Sequence, residues 1–444
     1  MWADSVSIEF AALLLSSTAI FAFVVTKFDI LHPFTIVASV MALTAVLSCV
    51  APVEWNLSIS WLTVFIVELS VLCFGVGSLF SDRCIRPGTT GGGATLRKQE
   101  LPDYMMIIMC FVLAFFAWLN FREVYDASIR LGNHNGYLGM LGTLRHAVEA
   151  GDYSFPRMYV YRNYLAQALT FFAMAVFFQK AFQERTYSLS RLCMYGIPLL
   201  FYLPFTIISG ERITLFCMIV FLIVAGGVIY QRAKGFTYAA RARCFGFAVG
   251  GGGLFLMLFV LFGFFTGKVS LQGRPPWEVI AHYGGLSLPA LSFFLESTFL
   301  ESAYVGKMTL LGIYQKLALL GMDFSDLPSR YFIMDFVQLN HIDTNVYTGL
   351  RRYIQDYGFV GMCLVMMFLG MVYTAFYNYI RFRSRTLVPI IIYASIAWPL
   401  FWLINEEGFF TSVLQTNTIY IIVLICLLGR ICNWLSYGDK QGDA

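Results

Sequence analysis

Charged side chains are scarce in this chain. Lys, Arg, Asp and Glu make up 13% of its 444 residues, whereas the apolar set AVILMFWYC accounts for 59%. The mean hydropathy is +0.70. Because soluble chains carry about a quarter charged residues, this composition excludes a soluble fold and indicates an integral membrane protein. The net charge of +4 is too small to predict a nucleic-acid partner.

Cysteine is missing from the two longest polar segments, residues 122–158 and 267–357. All ten cysteines lie within or beside apolar runs, which excludes an outer domain held together by disulfides. The chain also lacks a Cys-x-x-Cys pair and any Cys/His spacing typical of a metal site. We therefore expect neither a metal ion nor another cofactor.

Apolar runs of membrane-spanning length dominate the sequence. About 20 apolar residues cross a bilayer as a helix, and an isolated strand could not satisfy its backbone polar groups in lipid. The runs predict an all-α polytopic membrane protein of about eleven transmembrane helices in a single domain, residues 1–444, with a large helical extracytoplasmic loop. They cover residues 8–26, 34–53, 58–80, 105–121, 159–182, 192–208, 213–230, 244–266, 358–380, 387–404 and 418–435.

Lysine and arginine in the short connections predict the orientation of these helices. Basic residues cluster in every second connection, and such connections usually stay in the cytoplasm. This pattern places the N-terminus outside and the C-terminus in the cytoplasm, with residues 122–158 and 267–357 as two long outer loops. The second loop is apolar enough between Leu286 and Leu320 to form helices that lie on the membrane or dip into it.

Arginine is concentrated on the predicted outer side, against the usual bias. A guanidinium group offers a planar fork of donors that suits phosphate and carboxylate, as handling of a lipid-linked diphosphate would require. Alternatively, long loops are exempt from the bias, and these arginines pair with Asp126, Asp152, Asp323 or Asp343. The arginines concerned are Arg122, Arg130, Arg145, Arg157, Arg162, Arg212, Arg274, Arg330, Arg351 and Arg352.

Two polar stretches place arginine at the entrance of a predicted helix. In Ser209-Gly210-Glu211-Arg212, a polar break between two apolar runs puts the charge of Arg212 near the bilayer surface and beside the N–H groups of a helix start. Residues 345–358 lead directly into the ninth predicted span. On a helix, Arg352 and Asp356 of this stretch would be one turn apart.

These stretches resemble motifs of the bacterial O-antigen and oligosaccharide repeat-unit polymerases. The resemblance covers about residues 205–375 and depends on the order and loop placement of three motifs. They are Ser209-Gly210-Glu211-Arg212, then Tyr283-Gly284-Gly285 with Pro289-Ala290, then Asn345-Val346-Tyr347-Thr348 with Asp356-Tyr357-Gly358.

The resemblance implies a helical bundle like those of GT-C-type glycosyltransferases and of the ligase, in a bacterial inner membrane with a periplasmic N-terminus. It also implies a metal-independent glycosyltransferase that joins undecaprenyl-diphosphate-linked glycans, with a chain-length regulator as a further partner. Arginines would bind the leaving diphosphate, a base would assist the acceptor hydroxyl and aromatic faces would hold sugars. The candidates are Arg212, Arg274, Arg351 and Arg352 for diphosphate, His282, His341, Glu211 and Asp356 for the base, and Tyr283, Tyr347 and Tyr353 for sugar.

Two alternatives remain open at this point. An O-antigen ligase shares helices and outer arginines but transfers the glycan to the lipid A core, so only the product separates it from a polymerase. A lipid-linked glycan flippase or transporter favours repeats and charges in mid-span. Here only Glu68 lies near the middle of a predicted span, which disfavours the transporter.

Overall fold

The computed structural model describes residues 5–84, 96–99, 101–183, 189–209, 212–265, 275–297, 305–324, 336–340 and 342–442. Within these ranges the chain is almost entirely helical, as the apolar runs predict. Eight helices are long and apolar enough to cross a membrane, in agreement with an all-α, multi-pass membrane protein.

The described residues form sixteen α-helices and two small antiparallel pairs of strands. The helices are α1 (Ile8–Val25), α2 (Pro33–Cys49), α3 (Trp61–Cys84), α4 (Asp103–Arg130), α5 (Gly136–Ala150), α6 (Arg157–Gln183), α7 (Leu189–Ile208), α8 (Arg212–Lys234), α9 (Tyr238–Phe265), α10 (Pro276–Gly285), α11 (Ser287–Glu296), α12 (Leu311–Leu319), α13 (Leu350–Asn378), α14 (Val388–Ile396), α15 (Trp398–Trp402) and α16 (Thr416–Gly442). Strand β1 (Ser5–Val6) pairs with β2 (Ile59–Ser60), and β3 (Val337–Leu339) pairs with β4 (Ile342–Thr344).

Three of the eleven predicted spans correspond to shorter apolar helices. These helices cover Pro33–Cys49, Leu192–Ile208 and Val388–Trp402, and they fall short of the length that the other eight reach. The number eleven therefore stays a prediction, although every predicted span coincides with an apolar helical stretch.

Both long outer segments contain helices. The first, residues 122–158, includes the last turns of α4, all of α5 and the start of α6. The second, residues 267–357, includes α10, α11, α12, β3, β4 and the start of α13. Helices α11 and α12 fall between Leu286 and Leu320, as predicted, while their position relative to a membrane stays a prediction.

The chain divides into two compact units, each discontinuous in sequence. The first unit comprises residues 1–91, 274–382 and 397–418, and the second comprises residues 92–273, 383–396 and 419–444. A single transmembrane domain over residues 1–444 stays a prediction.

Close packing of α3 against α13 forms the core of the first unit. Gly77 and Gly370 lie where each helix meets the backbone of the other, and a Cβ on either would overlap a carbonyl oxygen across the interface. The hydroxyls of Ser78 and Thr374 hydrogen-bond between the same helices. Small residues and hydroxyl pairs are the usual means of close helix approach in membranes, and they explain why these apolar helices pair.

The second unit is built around α6 and α8, which pack against each other and against α7, α9 and α14. Their interface is aromatic: Phe171 of α6 stacks on Phe221 of α8 with ring centroids 3.9 Å apart. Gly226 of α8 leaves room for the Phe178 ring, which a Cβ would approach to 3.1 Å. Large rings thus pack beside small residues in this core.

A buried polar cluster joins helix ends of the first unit that the sequence predicts to be cytoplasmic. Asp29 is fully buried, pairs with Arg381 at 2.9 Å and accepts a hydrogen bond from the Tyr377 hydroxyl at 2.8 Å. The Nε2 atom of His32 lies 3.1 Å from Asp82 Oδ2. All five residues lie at helix ends that the charge pattern places on the same side of the membrane, and these contacts bring those ends together. Which side faces the cytoplasm stays a prediction.

Candidate functional site

The candidate site of the first unit lies at residues 349–358, which we call the α13 entrance. Gly349 brings it against the loop that follows α15: its N–H donates to the Leu403 carbonyl at 2.7 Å, and a Cβ would lie 3.0 Å from the Glu406 carbonyl oxygen. Gly358 ends the entrance with φ of 66°, a conformation that favours glycine. The resulting kink separates the polar entrance from the apolar remainder of α13.

Arg352 is held by a buried ion pair at this entrance. Its Nε lies 2.6 Å from Glu406 Oε1, and its side chain is 5% exposed. One of its terminal nitrogens donates to the Met308 carbonyl at 3.2 Å. The guanidinium therefore joins two distant segments, which gives Arg352 a structural task beside the predicted binding of diphosphate.

Asp356, one turn further along α13, binds the backbone of the same segment. It accepts hydrogen bonds from the Met308 N–H at 3.0 Å, the Thr309 N–H at 2.7 Å and the Thr309 hydroxyl at 2.8 Å. The predicted i,i+4 relation of Arg352 and Asp356 is confirmed. Arg352 and Asp356 thus both bind the backbone of residues 308–309, and the role of Asp356 as a base stays a prediction.

Glu407 is a buried carboxyl in the loop that follows α15, and it is not among the site residues predicted from the sequence. It is 1% exposed and accepts from the Tyr353 hydroxyl at 3.1 Å, the Phe410 N–H at 2.8 Å and the Thr411 N–H at 2.9 Å. Burial raises the pKa of Glu407 above its ordinary value, although these N–H donors and Arg352 oppose the shift. In the sequence, the one sign of this group is that Glu406 and Glu407 stand side by side between two apolar runs.

Arg351 occupies a different environment from its neighbour. Its guanidinium carbon lies 4.0 Å from the centre of the Tyr347 ring and 5.2 Å from the centre of the Phe294 ring. Both distances are within the reach of about 6 Å for cation–π attraction, and a guanidinium carries its N–H donors in one plane. Arg351 is half-buried, so the two rings fix the direction of a cation at the rim of the entrance.

The tyrosines predicted to hold sugars differ in exposure. Tyr353 is 0% exposed and Tyr347 is 7% exposed. The Tyr353 hydroxyl donates to Glu407, and the Tyr347 ring contacts the guanidinium of Arg351. Tyr283 is half-buried. The sugar-binding role of all three stays a prediction, and the burial of the first two lends it no support.

The Tyr-Gly-Gly motif lies at the C-terminal end of α10, packed against α2. The Gly285 carbonyl accepts from Ser48 Oγ at 2.6 Å, and a Cβ on Gly285 would lie 2.8 Å from the Leu47 carbonyl oxygen. These glycines thus permit close helix approach. The adjacent His282 is half-buried, with its ring edge-on to Trp55 at a centroid distance of 6.3 Å.

Arg212 belongs to the second unit and is the first residue of α8, as the polar break predicts. Its side chain is buried, at 6% exposure, and its guanidinium carbon lies 4.4 Å from the centre of the Phe259 ring on α9. A cation at a helix N-terminus gains nothing from the helix dipole, and the binding of diphosphate by Arg212 stays a prediction.

Arginines of the first long segment pair with carboxylates, as the alternative interpretation expects. Arg162 pairs with Glu123 and donates to Asn120 at 2.6 Å. The exposed pair Arg122 and Asp126 is 3.8 Å apart. These contacts within the second unit account for two of the outer arginines without any ligand.

Three predicted site residues, Glu211, Arg274 and His341, lie outside the described residues. Their roles stay predictions. Among the residues that the structure does describe, no group of three or more His, Cys, Asp or Glu is arranged to hold a metal ion.

The function of this chain has to be inferred from its own residues and from the resemblance of its motifs. Comparisons of the chain with protein-family models, with curated proteins and with solved structures find no match.

Proposed function

We propose that this chain polymerises undecaprenyl-diphosphate-linked oligosaccharide repeat units by glycosyl transfer at the periplasmic face of a bacterial inner membrane. The product would be O-antigen or a similar surface glycan. The proposal combines the all-α membrane architecture with the order of the three motifs in the sequence. It needs a cation for the leaving diphosphate, a base for the acceptor and contacts for the sugars.

The observation that carries the proposal is the setting of Arg351 at the α13 entrance. Its guanidinium is oriented by Tyr347 and Phe294, 4.0 and 5.2 Å from the ring centres, instead of being left to rotate in solvent. A preoriented cation stabilises charge that develops on a leaving group without further reorganisation. The α13 entrance is also held in place, because Arg352 binds Glu406 and Asp356 binds the backbone of Thr309.

The reaction transfers a glycan from one lipid diphosphate to another lipid-linked glycan. The bond between the anomeric carbon and the diphosphate oxygen breaks, and the diphosphate leaves with the electron pair. The acceptor hydroxyl forms the new glycosidic bond and gives its proton to a base, for which His282 and His341 are the candidates. Arg351 neutralises the departing diphosphate, while the binding of diphosphate by Arg212 and Arg274 stays a prediction from the sequence.

Complementation of a polymerase-null strain tests this function. Arg351→Ala should collapse the glycan ladder to single repeats at a wild-type level of protein in the membrane, while Arg351→Lys should retain part of the ladder. Arg122→Ala is the matched control, because Arg122 is exposed and already paired with Asp126. A full-length ladder with Arg351→Ala would contradict the proposal.

A strain that lacks this chain separates the alternatives by product. Loss of a ligase would leave lipid-linked polymer that is not attached to the lipid A core. Loss of a flippase would leave repeat units inside the cell, unpolymerised and inaccessible to external enzymes. Either outcome would replace the polymerase as the function of this chain.

A further inference from the structure

A polar cleft opens in the first unit between α11 and the β3–β4 hairpin. It has a volume of about 110 Å³, below the range of about 300–1,000 Å³ for sites that enclose a whole small-molecule ligand, so it is of a size for part of a ligand. Its wall includes Ser58, Ser292, Phe293, Glu296, Gln338 and Asn340. All of these residues belong to segments that the sequence predicts to be on the outer side.

The chemistry of the cleft differs from that of the α13 entrance. Hydroxyl, amide and carboxylate groups supply both donors and acceptors, whereas none of the described residues that line the cleft is lysine or arginine. Phe293 adds a ring that is 50% exposed. A diphosphate would find no cation here, but a sugar presents adjacent hydroxyls to such polar groups and an apolar C–H face to such a ring.

Hydrogen bonds organise the polar wall of the cleft in advance. Ser292 is 3% exposed, and its hydroxyl accepts from the Ser60 N–H at 2.9 Å and donates to Glu296 Oε1 at 3.4 Å. The Asn340 side-chain amide donates to the Asn56 carbonyl at 2.6 Å, which leaves its oxygen as an oriented acceptor. Preorganised groups lose little entropy when a ligand binds.

Helix α11 connects this cleft to the cation of the proposed polymerase site. Phe293 lines the cleft, and the next residue, Phe294, contacts Arg351 on another face of the same helix. Adjacent helical residues diverge by about 100°, and a helix with its side chains is about 10 Å across. A glycan attached to a diphosphate at Arg351 would therefore reach the cleft with a sugar beyond the first.

We propose that the cleft between α11 and the β3–β4 hairpin is a carbohydrate subsite that binds an internal sugar of the repeat unit and contributes to substrate selection. Phe293 covers the C–H face of the sugar, and Glu296 with Gln338 and Asn340 binds its hydroxyls. Its place in catalysis rests on the proposed function, but its binding of free oligosaccharide does not.

Binding of free oligosaccharide to the purified full-length protein in detergent tests this subsite. The probe is the unphosphorylated oligosaccharide released by mild acid from the surface glycan of the source strain, measured by calorimetry or by saturation-transfer NMR. Phe293→Ala and Glu296→Gln should each weaken binding at least tenfold. Trp277→Ala and Glu54→Gln are the matched controls, since both residues are exposed and lie outside the cleft.

The outcomes distinguish failure of the subsite from failure of the polymerase. Arg351→Ala should leave binding of the free oligosaccharide unchanged while it abolishes the ladder. Wild-type protein that binds none of the oligosaccharide, or cleft variants that bind it like wild type with unchanged thermal midpoints, would overturn the subsite. Binding that depends on Phe293 and Glu296 in a protein that forms no ladder would support the subsite and contradict the polymerase.

Discussion

Replacement of Asp356 by alanine should destabilise the first unit, because this carboxylate anchors the 308–309 turn to α13. It is 8% exposed and accepts from the Met308 N–H, the Thr309 N–H and the Thr309 hydroxyl at 3.0, 2.7 and 2.8 Å. Alanine would remove every one of these bonds. The N–H groups of Met308 and Thr309 would then lose their acceptor at residue 356.

The expected loss follows from the number and kind of these bonds. A hydrogen bond to a charged group is worth about 1.5–3 kcal/mol, and unsatisfied buried donors add to the loss. Three coupled bonds of this kind give a loss of about 3–5 kcal/mol for Asp356→Ala, after allowance for their non-additivity. Asp356→Asn should lose less than the alanine variant, about 1–3 kcal/mol. A rotated amide can place its oxygen where Oδ2 accepts all three bonds, but its NH2 group would then face the Met308 N–H, which Oδ1 also accepts.

Thermal unfolding in detergent measures this graded effect. At about 2–4 °C per kcal/mol for a unit of this size, Asp356→Ala should lower the midpoint by about 10 °C and Asp356→Asn by a few degrees. Asp126→Ala is the control. The Asp126 side chain is 56% exposed, and its carboxylate lies 3.8 Å from the Arg122 guanidinium. An exposed ion pair contributes at most about 1 kcal/mol to the free energy of unfolding.

The competing hypothesis is that Asp356 is the catalytic base. A base predicts that Asn and Ala variants lose the glycan ladder equally and keep the thermal midpoint of the wild type. Unchanged thermal midpoints in both variants would refute the anchoring of the 308–309 turn by Asp356. A graded fall in midpoint, with the ladder retained by Asp356→Asn, would refute the base.

Three further predictions concern the packing and the buried charges of the first unit. Gly370→Leu should separate α3 from α13 and lower the thermal midpoint and the membrane level, because even a Cβ would overlap the Phe74 carbonyl oxygen; a wild-type midpoint would show that the helices adjust. Asp29→Asn should cost about 3–5 kcal/mol, since it leaves the Arg381 cation buried without its 2.9 Å carboxylate partner; denaturation that matches wild type would contradict this. Burial raises the folded pKa of Glu407 above 4.5, so the free energy of unfolding should fall as pH rises from 4.5 through the raised pKa, and Glu407→Gln should flatten that fall; an unchanged pH profile in the variant would assign the slope to another group.

Much of the helical framework was predictable because the driving force is local in sequence. Apolar runs of about 20 residues satisfy their own backbone only as helices, and each predicted run coincides with an apolar helical stretch. The start of α8 at Arg212 and the break in α13 at Gly358 were likewise marked by polar or glycine residues. The start of the first long outer segment was less predictable, since α4 continues beyond its apolar run to Arg130.

Which charges pair, and which face a ligand, was decided by the tertiary structure alone. Arg351 and Arg352 are indistinguishable in the sequence, but helical geometry turns their side chains about 100° apart. One guanidinium therefore meets Tyr347 and the other meets Glu406. Contacts such as these join residues that are far apart along the chain, and no local pattern encodes them.

The sequence by itself determined that this chain is a helical membrane protein, because hydrophobic length and backbone hydrogen bonding allow no other form. The burial of Glu407, the engagement of Asp356 by a turn and the cleft beside Phe293 depended on how helices and loops pack. Side chains of the same type therefore differ in their properties, since burial and neighbouring groups set their charge, their direction and their accessibility to a ligand.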